Sequence, residues 1–344
     1  MATGTVTAIL RWYAAHQRDL PWRRPDATPW AILVSEVMLQ QTPVARVLPV
    51  YQEWLTRWPT PASLAAASAG DAVRAWGRLG YPRRALRLHA TAQILTQRHG
   101  GEVPSSVDAL IALPGIGSYT AAAVGSFAFG QRQAVLDTNV RRVLARLFNG
   151  LERPPASPSA AEARLAAALL PAQPDRAARW SVAVMELGAL VCSASRPDCA
   201  SCPVARSCAW RLAGRPAAVE GRRATQSYDG TDRQCRGRLL AVLREAAGPV
   251  PAPRLDAVWP DPLQRARALD SLVADGLIDP LPDGTFGLPG ENGAPGDTGP
   301  GGEPEPEVPA ARPAEPRPTN PRPTKPQPTK QSLAGATPGQ ALSR

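Results

Sequence analysis

Four cysteines, Cys192, Cys199, Cys202 and Cys208, fall in the spacing C-x6-C-x2-C-x5-C. Four thiolates this near in sequence can close around one compact metal centre. Zinc sites usually pair two C-x2-C knuckles, each giving two ligands on one turn. Here one such pair is flanked by unequal loops, which suits the wider corners of a 4Fe–4S cubane. Structural zinc and four unrelated thiols are the competing readings. Arg196 and Arg206 stand beside the ligands and can present charge to nucleic-acid phosphates. Cys235 lies outside the array and reads as a buried or free thiol.

A second chemistry is carried by two carboxylates. Glu36 sits in AILVSEVMLQQT, with apolar Ile32, Leu33 and Leu39 at helical spacing around it. Either it is a surface glutamate paired to an arginine such as Arg46, or it is buried. Burial would raise its pKa and keep it protonated near neutrality. Asp137, in VLDTNVRRV, precedes a helical run and reads as an N-cap. A capping carboxylate is expected to have a lowered pKa and to stay ionised. A raised acid and an ionised carboxylate together suit N-glycoside cleavage: one protonates the leaving base, the other steadies an oxocarbenium ion.

The segment LPGIGSYT offers a third feature. Gly115 and Gly117 permit close approach and positive φ, and a helix starting near Ser118 would point free N–H groups outward, a ready anion site. The glycine pair alone fits any helical hairpin. Lysine is also informative: the chain has two, Lys325 and Lys330. No lysine is available in residues 1–320 to form a Schiff base.

These groups need helices to position them. Apolar residues recur at three- and four-residue spacing in 31–39, 44–55, 63–79, 84–97, 106–112, 119–128, 138–148, 160–170 and 178–191, and Pro and Gly punctuate the joins. Residues 1–211 therefore read as all-α. Residues 212–232 read as a linker. Helices at 234–246 and 262–276, then a hairpin turning at Asp283-Gly284, suggest a small winged-helix-like α+β module over 233–289. Residues 290–344 contain 13 prolines and no aromatic residue and read as a disordered, plain polar tail, with docking of a proline-reading partner by PRPTNPRPTKPQPTK as the other reading.

Composition bounds the rest. The net charge is +10 over 344 residues, and the tail's acids and bases cancel, so the whole excess falls on residues 1–289. A polyanion, nucleic acid above all, is the expected partner. The N-terminus lacks a signal-peptide apolar core, and no apolar run approaches the roughly 18 residues of a membrane span. A reducing, cytoplasmic setting and a monomer are expected, with metal ligands rather than disulfides among the cysteines.

Taken together, DLPWR (19–23), SEVMLQQT (35–42), RLGY (78–81), LPGIGSYT (113–120), VLDTNVRRV (135–143), ELGALVC (186–192) and the cysteine array resemble the helix–hairpin–helix DNA glycosylases, and among them the MutY-type adenine glycosylases. The likeness runs over about residues 8–211. It implies a six-helix barrel over 28–137 and a 4Fe–4S cluster domain from 1–27 and 138–211. It implies that Glu36 protonates adenine at N7, that Asp137 stabilises the oxocarbenium ion and that Tyr119 assists. Arg23 and Trp30 would line the adenine pocket. Gln41 and Tyr81 would fill the duplex beside a flipped-out base. Gln40 and Thr42 would reach bases or backbone. Gly115, Gly117 and Ser118 would grip the DNA backbone.

In the endonuclease III relatives the residue at Tyr119 is a Schiff-base lysine. A tyrosine there implies monofunctional hydrolysis of adenine opposite 8-oxoguanine or guanine in double-stranded DNA. Three departures stand out. Val182 replaces a Gln or Glu that can reach the adenine edge. Pro82 follows Tyr81 in the wedge loop. Residues 233–289 are too short for the Nudix-like lesion-sensing domain of well-known members. Two other readings keep the same features: a pyrimidine, thymine-mismatch or endonuclease III-like glycosylase on this scaffold, and a non-catalytic iron–sulfur DNA-binding protein.

Overall fold

Short polar side chains set the starts of the helices. Thr28, Thr60, Ser68, Ser106, Asp137, Ser159, Thr231 and Asp261 each accept a backbone N–H from the first turn that follows. The computed structural model describes residues 2–218 and 228–291. Residues 292–344 of the tail reading and 219–227 of the linker reading lie outside these residues, while Glu291, read as tail, pairs with Arg74.

The first helix, α1 (Ala2–His16), leads through a 3-10 turn at Pro21–Arg23 into α2 (Pro29–Leu39). There follow α3 (Val44–Arg57), α4 (Pro61–Ala65), α5 (Ala69–Trp76), α6 (Arg83–Arg98), α7 (Val107–Ile111) and α8 (Ser118–Phe129). A second run comprises α9 (Thr138–Phe148), α10 (Ala160–Leu169), α11 (Pro174–Leu190) and α12 (Ala209–Leu212). The fold is mainly helical, as expected. The single helix expected over 63–79 is two, because Ser68 caps a fresh start at Ala69 and binds the Asp71 amide at 2.9 Å.

Two hydrophobic cores form. One joins residues of α2 to α8 around Trp54, Trp76 and Leu33. The other joins α1 to α9, α10 and α11 around Ile9, Trp180 and Leu187. Gly188 lets α11 cross against α9: a Cβ there would stand 2.7 Å from Asn139 Cβ. That close crossing fixes the start of α9, where Asp137 lies.

The C-terminal residues form α13 (Asp232–Glu245), β1 (Val250–Pro251), α14 (Ala252–Asp256), α15 (Pro262–Ala274), β2 (Asp279–Pro280) and β3 (Thr285–Gly287). The strands make an antiparallel sheet in the order β1-β3-β2, with Val250 opposite Phe286 and Pro280 opposite Phe286 from the other side. Helices with a small wing match the sequence reading, but β1 and α14 were not foreseen. The apolar residues of this module are continuous with the first core. Arg244 Nε donates to Val73 O at 3.0 Å, and Gly70 N donates to Pro289 O at 2.7 Å. The module is thereby bonded to α5.

Candidate active site

A cleft of about 1540 Å³ opens between the two cores, walled by the 3-10 turn, α2, α11 and the starts of α8 and α9. Glu36 lies in it near the end of α2, only 5% exposed. The Tyr119 hydroxyl donates to Glu36 Oε2 at 3.1 Å. Burial pushes the Glu36 carboxyl up to about 7; the Asp137 charge raises it further, while the Tyr119 hydrogen bond and Arg23 oppose the rise. The surface ion-pair reading of Glu36 fails, since Arg46 bonds instead to the Arg78 carbonyl. The Tyr119 phenol is itself raised far above the usual range by burial and by Glu36, so it stays a neutral donor.

Asp137 caps α9. Its Oδ1 accepts from Val140 N at 2.6 Å and its Oδ2 from Asn139 Nδ2 at 2.7 Å. The expected lowering of its pKa is overturned. Burial raises it, and the hydrogen bonds to Val140 and Asn139 and the charge of Arg142 offset only part of the rise. A cap in water and a cap in a closed cleft differ by the desolvation of the anion.

The pocket wall also corrects the sequence reading. Trp30 is buried away from the cleft and donates its indole N–H to Trp58 O at 3.1 Å. Trp22 lines the cleft instead, packed edge-on against Tyr51 at 5.0 Å. Arg23 does line it. Its Nη1 stands 2.8 Å from Glu186 Oε2 and pairs with that carboxylate. Arg18 completes the pairing, with Nε 2.8 Å from Glu186 Oε1. Glu186 is fully buried, and these two arginines hold its carboxyl below the usual range despite burial. Arg18, Trp22 and Glu186 were not singled out from sequence. Trp22 lies within DLPWR and Glu186 opens ELGALVC, and those motifs were the available signal. Val182 faces the cleft beside Met185 as an apolar wall.

The loop after α2 borders the cleft, and the 77–82 loop is tied to it. Gln41 (φ +56°) and Tyr81 (φ +48°) both adopt left-handed backbone, which non-glycine residues rarely do. Both are exposed. Gln40 Nε2 donates to Thr120 Oγ1 at 3.2 Å. Thr42 is not free for bases or backbone: it is buried, accepts from Arg84 Nη2 at 2.9 Å and donates to Leu79 O. Arg84 ties both loops together. It donates to the carbonyls of Val37 and Met38 at 2.9 Å, Gln40 at 2.6 Å and Gly80 at 3.0 Å.

The hairpin between α7 and α8 turns at Gly115, whose φ is +76° and whose missing Cβ would meet the Arg87 side chain at 2.8 Å. Gly117 does not use positive φ; it is extended and serves as N-cap. With no capping side chain and Ala121 N as the first amide bonded back to Gly117 O, the amides of Ser118 to Thr120 lack a partner within the helix. Gly115, Gly117 and Ser118 are exposed there.

The four cysteines are half-buried around α12 and the end of α11. Burial pushes Cys202 up to about 11, and the other three cysteines each raise it further, so the thiols neighbour one another. Arg146, 1% exposed, donates to Cys192 Sγ at 3.4 Å and to Ser193 O at 2.8 Å and stacks on Trp210 at 4.7 Å. No carboxylate pairs with it among the described residues. A buried cation against sulfur fits an anionic thiolate centre. Among the described residues no group of three or more His, Cys, Asp or Glu is placed to hold a single metal ion.

A family model described as HhH-GPD superfamily base excision DNA repair protein matches residues 34–168. The adenine DNA glycosylase of Mycobacterium tuberculosis is 52% identical over 286 residues, covering 83% of this chain and 93% of that protein. The chain belongs to the adenine DNA glycosylases. A second family member, from Mycolicibacterium smegmatis, is 52% identical over 293 residues and is covered to 97%. A solved thermostable thymine-DNA glycosylase shares 27% identity, with a TM-score of 0.56 over 62% of this chain and 97% of that one. In this adenine DNA glycosylase family member the matched residues 34–168 include Glu36, the 113–120 hairpin segment and Asp137. Among the described residues, no helix is long and apolar enough to cross a membrane.

Proposed function

We propose that this protein removes adenine mispaired with 8-oxoguanine or guanine in double-stranded DNA, by monofunctional hydrolysis. The observation that carries this is Glu36, raised to about 7 by burial and hydrogen-bonded to Tyr119 in the cleft that also holds Asp137. A protonated carboxyl in that position can donate to adenine N7. The N9–C1′ bond then breaks, and adenine leaves neutral. Asp137, whose hydrogen bonds and Arg142 favour the anion, faces the oxocarbenium ion. Water adds at C1′ and returns its proton to the Glu36 carboxylate. Tyr119 keeps Glu36 oriented. Arg23 and Trp22, which line the cleft, would bind the flipped base. Val182 offers no hydrogen bond, so base recognition falls on the remaining polar groups.

Outside the cleft, Gln41 and Tyr81 would fill the space left in the duplex, and Gly115, Gly117 and Ser118 would hold a phosphate by their amides. Cys192, Cys199, Cys202 and Cys208 would hold a 4Fe–4S cluster, with Arg146 against Cys192 supporting that assignment. When bound, the cluster supplies a rigid, charged loop for the DNA backbone. Arg196 and Arg206 flank it.

The test is single-turnover excision from duplexes carrying labelled A opposite 8-oxoguanine, G, C or T, read with and without alkali. Strand breaks only after alkali, fastest opposite 8-oxoguanine, are expected. Breaks without alkali would overturn monofunctional hydrolysis, and no adenine release from any duplex would overturn the proposal. A thymine-releasing activity is the second reading, favoured by the likeness to the thymine-DNA glycosylase structure; product analysis separates it.

A further inference from the structure

Tyr81 poses a physical problem. Its backbone is left-handed, which costs a tyrosine about 1 kcal/mol or more and persists only when the surroundings hold it. Yet the side chain is 47% exposed and is not packed into either core. Two guanidiniums hold the ring. Arg84, buried in the loop junction, places its guanidinium carbon 5.6 Å from the ring centroid. Arg233 places its own at 5.4 Å. Arg233 belongs to α13, in the C-terminal module, far from Tyr81 in sequence.

Arg233 is exposed and makes no ion pair with a carboxylate among the described residues, although Asp232 beside it pairs with Arg267. Its ring contacts are Tyr81 and, at 5.8 Å, Tyr228. The module is anchored on α5 through Arg74 and Arg244, immediately before the 77–82 loop, so its position is set independently of Tyr81. A cation held over an aromatic face from a separately anchored element restricts that ring.

We propose that Arg233 is a positioning residue for base eversion: from the C-terminal module it holds the Tyr81 ring in the pose that enters the duplex. The inference rests on the reading of Tyr81 as the residue that fills the duplex. It makes the short module part of the wedge rather than an appendage. Opposite-base discrimination then depends on Arg233, because a wedge of fixed pose meets the opposite base in one geometry.

The test uses the full chain as R233A, R233K, Y81A and the double variant Y81A/R233A. Each is assayed for single-turnover adenine excision opposite G and opposite C, and for the fluorescence of a 2-aminopurine placed beside the target adenine. Arg233 is exposed, so melting curves of R233A should match the parent. R233A is expected to lower the fluorescence rise and the G-over-C preference about two- to fivefold, the range of a partly exposed cation–π contact. R233K should restore most of both, and R233A should cost nothing further in the Y81A background. Losses that multiply in the double variant would overturn the inference, showing that Arg233 acts apart from Tyr81. So would an R233A protein equal to the parent while Y81A is impaired. If Y81A itself lost nothing, the reading of Tyr81 would fail, and the inference with it.

Discussion

Glu36 is an expensive residue to bury. Its carboxyl holds a proton up to about pH 7 in the folded chain against an ordinary 4.5. The unfolded chain releases that proton earlier, so the stabilising effect of the neutral form is full below the ordinary value and is lost as pH rises through about 7. Glu36→Gln removes the titration and keeps the shape. Relative to the parent, it should gain about 3 kcal/mol of stability between pH 4 and pH 8, while excision falls roughly 100- to 10,000-fold, the usual reach of a general acid. Urea melts at the two pH values and single-turnover rates check both halves. A stability difference that stays constant with pH would count against a raised Glu36. The apolar neighbours of Glu36 made burial one of two legible readings, because side chains at i−4, i−3 and i+3 share its face. The pKa direction of Asp137 was not legible. Capping was visible in the sequence, but desolvation depends on α11 closing over α9 at Gly188, a contact distant in sequence. Trp30 for Trp22 was an error of the same origin: both are tryptophans next to a proline, and only packing shows which faces the cleft.

At the scale of elements, most helices were legible because apolar periodicity and capping residues agree. The exceptions were short. The strand Val250–Pro251 is too brief for alternation to register, and the break between α4 and α5 hangs on one serine. The cysteine loop belongs to the second core, whose partly buried fringe includes Cys192, Cys202 and Cys208, whereas the first core excludes them. Cys199 is half-buried and outside both. With the proposed cluster in place, Cys199→Ser should remove its visible absorption and weaken DNA binding about tenfold, while the melting of the first core changes little. Filter binding beside circular dichroism reads this. Parallel loss of helicity and of DNA binding would show that the loop and the first core fold as one.

For the molecule as a whole, charge and the C-terminal module carry the consequences. The excess of +10 is almost entirely arginine, since the two lysines lie in the last 20 residues. Each phosphate neutralised on binding releases counterions, and affinity for any duplex should fall steeply with salt, by roughly tenfold or more between about 50 and about 200 mM. A titration by fluorescence anisotropy measures the slope, and near-constant affinity would refute a basic DNA-binding face. The sequence exposed the module's helices and wing but not its docking. Arg74 of α5 donates to the Ala246 carbonyl at the end of α13, and Arg244 of α13 donates to the Val73 carbonyl of α5; such crossed contacts leave no periodic trace in a sequence. That docking is what brings the N-terminal end of α13 to the 77–82 loop.

The proposed excision needs one proton, held by Glu36 beside Tyr119. The most direct measurement is the pH dependence of single-turnover adenine excision by the full chain, from about pH 5 to about pH 9, on a duplex bound at saturation. The rate should fall as pH rises through about 7, where Glu36 loses the proton it donates. The residual rate of Glu36→Gln should show no such fall. A parent rate that is flat or rises across that range, or a Glu36→Gln protein that retains the parent's rate, would exclude Glu36 as the acid that protonates adenine.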